Sequence, residues 1–106
     1  MALTREFKET ILARVRRDPA FRRQLLREGI ECLLAGDVET GKTVLRDYIN
    51  ATVGFEELGA ATRKSAKSLM RMFAPSGNPQ ARNLFKIVAY LQAQEGVRLE
   101  VRPTRR

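Results

Sequence analysis

Apolar residues in this chain recur every third or fourth position, in runs cut short by pairs of turn formers. That pattern allows little except a set of short helices packed on one another. Leu3, Phe7, Ile11 and Val15 lie on one stripe of a first helix. Asp18-Pro19 ends it and starts a second, with Asp as N-cap and Pro at the first helical position. Phe21, Leu25, Leu26, Ile30, Leu33 and Leu34 supply the apolar face of this second helix. Gly36-Asp37 interrupts again, and Asp37 can cap a third helix carrying Val38, Val44, Leu45, Tyr48 and Ile49. After Gly54, the spacing predicts a short helix over Phe55–Ala61, a turn at Thr62–Ser65, and a helix from a Ser65 cap to about Phe73. Ala74-Pro75-Ser76-Gly77-Asn78-Pro79 is dense in turn formers. Asn78-Pro79 repeats the cap-then-proline start and opens a last helix with Leu84, Phe85, Ile87, Val88 and Leu91, ended by Gly96.

Val97-Arg98-Leu99-Glu100-Val101 alternates strictly, which is a strand pattern. A lone strand is not stable, so it must pair with something, such as its copy in a second subunit. The expectation is therefore an all-α bundle of five to six helices with one short C-terminal β-strand. At 106 residues it forms a single domain. Residues 1–52 hold the N-terminal helices, 53–95 two short helices and the last long one, 96–102 the strand, and 103–106 a basic tail. Cys32 is expected as a small buried apolar residue, Met72 as core, and Tyr48 and Tyr90 as core with the hydroxyl at the edge. Arg105 and Arg106 are expected to solubilise the tail, the alternative being a flexible arm that follows a DNA groove.

Composition narrows the function. The chain has no histidine and one cysteine. A Ser-His or Cys-His nucleophile is impossible, and so are an internal disulfide and a multi-cysteine zinc site. The nearest carboxylates, Asp37, Glu39 and Asp47, show no convergence for a metal-dependent nuclease. Neither an enzyme nor a metal or cofactor is expected. No stretch approaches the length of a membrane span, and the N-terminus lacks the apolar run of a secretory signal, so the expected setting is cytoplasmic.

Charge points to a partner. The net charge is +8, but its distribution matters more. Between Glu57 and Glu95 there is no acid at all, only Arg63, Lys64, Lys67, Arg71, Arg82 and Lys86. A solvated helical face normally mixes both signs, so this stretch suits a surface that meets phosphates.

Gly36-Asp37-Val38-Glu39-Thr40-Gly41-Lys42-Thr43 matches the phosphate-loop pattern G-x-x-x-x-G-K-[ST]. That chemistry needs a strand before the loop, whereas Ile30–Ala35 reads as the end of a helix. Asp37 and Glu39 would also place two negative charges in the phosphate cradle. The match is read as a helix-to-helix turn in which Asp37 caps and Lys42 faces solvent.

Two short helices joined by a tight turn, inside the acid-free stretch, describe a helix-turn-helix. Gly59 and Ala60 are the small residues for the crossing, and Leu58, Leu69 and Phe73 the apolar anchors. Such a pair inserts the exposed face of its second helix into the major groove of DNA, here Lys67 and Ser68 with Arg71 one turn further on.

The runs Cys32-Leu33-Leu34-Ala35-Gly36-Asp37-Val38-Glu39, Leu58-Gly59-Ala60-Ala61-Thr62, Lys67-Ser68-Leu69-Met70-Arg71-Met72-Phe73 and Pro75-Ser76-Gly77-Asn78-Pro79 resemble the addiction-module antidote family. The resemblance covers roughly residues 30–101. It implies an antitoxin-type regulator with a lambda-repressor-like (Xre-like) helix-turn-helix that binds its own promoter. A homodimer is expected, since repressors of this kind read two half-sites about one helical turn apart. It also implies neutralisation of a toxin encoded beside it, from the ribonuclease and gyrase-poison superfamily. Carried over, Lys67, Ser68 and Arg71 fall on the recognition helix, and Asn78, with Gln80 and Arg82, falls where the next helix can hold a phosphate. The family usually has Gly and then an apolar residue in the turn, where this chain has Arg63 and Lys64 before Ser65. Both added charges favour a phosphate backbone, and Arg63, Lys64 and Ser65 join the expected DNA-binding residues. The alternative is a toxin-neutralising interaction module with weak or no sequence-specific DNA binding. An exposed apolar groove would favour that alternative.

Overall fold

The computed structural model describes residues 5–105, the side chains of Arg5, Phe7 and Lys8 excepted. The expectations for Leu3, the Phe7 side chain and Arg106 lie outside the described residues. Six helices follow in order: α1 Arg5–Arg17, α2 Pro19–Leu34, α3 Val38–Ala51, α4 Phe55–Thr62, α5 Ala66–Phe73 and α6 Ala81–Glu95.

Three starts follow the expected chemistry. The Asp18 carboxylate accepts from the Phe21 N–H at 3.2 Å with Pro19 at the first helical position. Asp37 accepts from Thr40 N–H at 3.3 Å, and the Ser65 hydroxyl accepts from Ser68 N–H at 3.0 Å. Each satisfies one of the donors that a helix start leaves free. At the far end, Gly96 is left-handed, Gly96 N–H donates to Ala93 O and Val97 N–H to Gln92 O, which is a Schellman stop.

α2 and α3 make the most extensive helix pair. Glycines let them approach: a Cβ on Gly41 would lie 2.8 Å from Leu33, and one on Gly29 2.9 Å from Leu45. The core then gathers Leu26, Leu45, Tyr48, Ile49, Phe55, Leu58, Leu69, Phe73, Ile87 and Leu91 from five of the helices.

Several expectations need correction. Among the described residues there is no strand. Residues 97–101 belong to neither a helix nor a strand, and Leu99 N–H donates to the Gln92 side-chain oxygen at 2.8 Å instead of to a neighbouring strand. Val97 and Leu99 are half-buried while Arg98 and Glu100 are exposed. The alternation records one-sided burial on the helices, and a strand is only one way to achieve that. The last helix begins at Ala81, with Gln80 rather than Asn78 at its cap and no side-chain capping bond. Asn78 and Pro79 belong to the preceding loop. Leu34 is 65 % exposed and Phe85 61 %, so neither joins the core, and Cys32 is half-buried.

The phosphate-loop look-alike is a turn between two helices, as expected, with Gly36 at φ 85°. Lys42, however, does not face solvent. It is 1 % exposed, and its ammonium donates to Ala74 O at 2.9 Å and Gly77 O at 2.7 Å and pairs with Glu39 at 2.9 Å. A longer contact of 3.5 Å reaches Pro75 O, and the loop after α5 is tied to α3.

A second buried polar cluster ties four elements together. Glu95, 8 % exposed, accepts both carboxylate bonds from Arg22 Nε at 2.8 and 2.9 Å and one from the Tyr48 hydroxyl. Arg22 also donates to Val15 O, and Arg23 lies 3.7 Å from the same carboxylate. These contacts give Arg22 and Arg23 a structural task that their sequence neighbours do not announce.

Candidate nucleic-acid interface

α4 and α5 form the pair read from sequence, and Gly59 sets how close they come. A Cβ there would sit 2.5 Å from the carbonyl oxygen of Lys64. Gly59 O in turn accepts from Lys64 N–H at 3.0 Å, closing the turn. Ala60 is exposed and plays no part in the crossing, which corrects one of the two small residues assigned to it. Gly59→Ala should therefore cost about 1–3 kcal/mol, because backbone rather than a pliable side chain must move. Urea unfolding measures that cost, and an unchanged midpoint would mean the crossing is looser than described.

Arg63 takes the left-handed conformation, φ 58° and ψ 42°, and is the one non-glycine residue at positive φ among those described. The turn closes around it at a cost of about 1 kcal/mol. Beneath the turn, Leu58, Leu69 and Phe73 are buried, and the Phe55 and Phe73 rings sit 6.1 Å apart in a tilted pair. Burial of Leu69 and Phe73 fixes the roll of α5. Lys67, Ser68, Met70 and Arg71 face out, and Met72 is half-buried.

The remaining expected residues fall into two further groups. Asn78, Gln80 and Arg82 are exposed in the loop after α5 and the first turn of α6, where no acidic residue stands. Arg63 and Lys64 line a cavity between the turn and α6, together with Asn83, Lys86 and Tyr90. That cavity does not include Arg82, Gln80 or Asn78. Of the added residues, Asn83, Ile87 and Tyr90 recur at helical spacing, and Lys86 lies four after Arg82, so the periodicity carries a signal for them. The Ser65 hydroxyl is committed to its cap.

Charge is distributed to match. Among the described residues, Arg63, Lys64, Lys67, Arg71, Arg82 and Lys86 take no part in an ion pair, whereas Arg14, Arg22, Arg27, Lys42 and Arg98 each face a carboxylate. The first turn of α4 carries Glu56 and Glu57, both exposed, which bars a phosphate from that end. Any phosphate backbone must approach over α5, the turn and the start of α6. Groups of metal-ligating side chains are absent among the described residues, and none of the described helices is long and apolar enough to cross a membrane.

No family model, curated protein or solved structure matches the chain. The likeness to the antidote family therefore rests on the quoted residues alone.

Proposed function

We propose that the chain is a non-catalytic DNA-binding regulator, the antitoxin of a toxin–antitoxin pair that represses its own promoter as a homodimer. The supporting observation is the exposed face of α5. Lys67, Ser68 and Arg71 stand clear of solvent-excluded Leu69 and Phe73, on a helix with a satisfied cap, in a stretch without acid. Lys67 and Arg71 can reach base edges or phosphates from one face, with Gln80 and Arg82 at the start of the next helix and Asn78 in the loop before it.

Fluorescence anisotropy with DNA from upstream of the coding region, against scrambled DNA at several salt concentrations, tests the reading. Preferential binding with a steep salt dependence is expected. Arg71→Ala should lose about 1–3 kcal/mol on the preferred sequence and little on scrambled DNA. Equal, weak binding to both duplexes would overturn the proposal.

One observation favours the second reading, a toxin-binding module. Leu34, Phe85 and Val101, 65, 61 and 76 % exposed, line a groove with Ile30, Val88 and Leu99. An apolar surface of this kind suits a protein partner more than DNA. Binding of the protein encoded next door, insensitive to salt and abolished by Phe85→Asp, together with no DNA preference, would decide for it.

A further inference from the structure

We propose that the cavity between the α4–α5 turn and α6 is a seat for a single phosphate group. It has a volume of about 320 Å³, near the lower end of small-ligand sites, roughly 300–1,000 Å³. Three cations line it: Arg63, Lys64 and Lys86. No carboxylate lines it, and none of the three holds an ion pair among the described residues. Like charges gathered around one small volume repel one another, and a bound anion relieves that repulsion. Asn83 and Tyr90 add neutral hydrogen-bonding groups on the α6 side, and the buried Ile87 supplies an apolar wall.

Arg63 supplies a second, independent observation. Its left-handed backbone is the conformation for which glycine is the least strained residue, yet the chain places there a long cation with a forked donor group. Strain of this kind concentrates at functional positions. A tetrahedral oxyanion accepts two parallel bonds from such a fork and further bonds from two ammonium groups. The phosphate is either a phosphodiester of a DNA strand lying over the turn or the phosphate of a free phosphorylated compound. This deepens the DNA-binding reading and rests on it for the first source only.

Two measurements on the full chain test the seat. In the first, amide NMR spectra are recorded with inorganic phosphate and with chloride at equal ionic strength. In the second, duplex binding is measured against salt. Both compare the wild type, Arg63→Gly/Lys86→Gln, and Arg98→Gln as a control away from the cavity. Arg63→Gly alone should raise the melting temperature by roughly 4–8 °C by relieving the turn. Weakened binding in the double variant then cannot come from unfolding.

Phosphate is expected to shift the amides of Arg63, Lys64, Asn83 and Lys86 beyond the effect of chloride, in the wild type and the control but not in the double variant. If duplex DNA moves the same amides, and the double variant loses about one from the slope of log affinity against log salt, the phosphate is that of the DNA backbone. If DNA leaves those amides in place, the source is a free phosphorylated compound. A lowered slope without a phosphate shift supports the seat for DNA alone. Phosphate shifts in a chain that prefers no DNA sequence would keep the seat and sink the regulator reading. No phosphate-specific shift together with an unchanged slope would overturn the seat and leave that reading intact.

Discussion

A Lys42→Ala chain should melt roughly 12–24 °C below the wild type, the equivalent of about 3 kcal/mol. The size follows from where the ammonium sits. Lys42 is 1 % exposed and is the donor to Ala74 O and Gly77 O, which lie in the loop between α5 and α6. Truncation removes the bond to Gly77 O, leaves Ala74 O only its bond from Gly77 N–H, and opens a void where the alkyl chain lay. The loop has no easy way to close over that void. A Cβ on Gly77 would lie 2.0 Å from Arg71 O, so this backbone is already folded tightly under the end of α5. Lys42→Met separates the two losses, since it fills the volume but donates nothing, and its melting point should fall between the others. If the proposed DNA binding holds, affinity should drop in both variants at temperatures where they remain folded, because Asn78 and Gln80 are placed by the same loop. Wild-type melting in Lys42→Ala would refute the anchor.

The buried carboxylate of Glu95 should have an effect of similar size with a distinct pH signature. Burial alone would push this carboxyl up. The hydrogen bonds from Arg22 and Tyr48, with the charges of Arg22 and Arg23, outweigh burial and hold it below the usual carboxylate range. The same cluster raises the Arg22 guanidinium, chiefly through its bond to Glu95. Burial, followed by the bond to Glu95, raises the Tyr48 phenol. In the unfolded chain Glu95 returns to an ordinary value of about 4.3. Its depressed folded value means that its contribution to stability is complete above that pH and is lost as pH falls through the folded value. Glu95→Gln keeps the volume but removes the charge and turns a donor towards Arg22. It should cost about 3 kcal/mol at pH 7, at the lower end for a broken buried pair because Arg22 keeps some contact with water. Urea unfolding at pH 7 and pH 3 should show a smaller gap between variant and wild type at the lower pH. An equal gap at both would mean that the charge of Glu95 does not stabilise the fold.

Legibility followed the range of the interaction. Asp18, Asp37 and Ser65 cap helices through bonds to residues three positions on, and such short contacts are written in local sequence. Gly59 and Gly96 were readable for a similar reason, since a tight turn and a left-handed stop have few substitutes. The exposed basic face of α5 follows from the placement of Leu69 and Phe73, two buried anchors in one short helix. Asn78-Pro79 misled because its proline marks an extended residue before it as well as it marks a helix start. Val97–Val101 misled because alternation reports which side is buried and not what lies on that side.

By itself, then, the sequence determined the helices over residues 5–95 and most of their limits, though not the fate of the segment after them, together with the exclusion of histidine and disulfide chemistry and the stretch in which cations stand without acids. Only the tertiary structure decided the rest. It turned Lys42 of a phosphate-loop look-alike into the anchor of a loop more than thirty residues away, with its nearest bonds reaching Ala74 and Gly77. It joined Arg22 to Glu95 across the length of the chain and brought Lys86 to the turn that holds Arg63 and Lys64. The physical reason lies in long-range packing. A long charged side chain takes its surroundings from whatever the packed helices bring near it, as bonds of about 3 Å for Lys42 and Arg22 and as a shared cavity for Lys86, and local pattern carries no record of them.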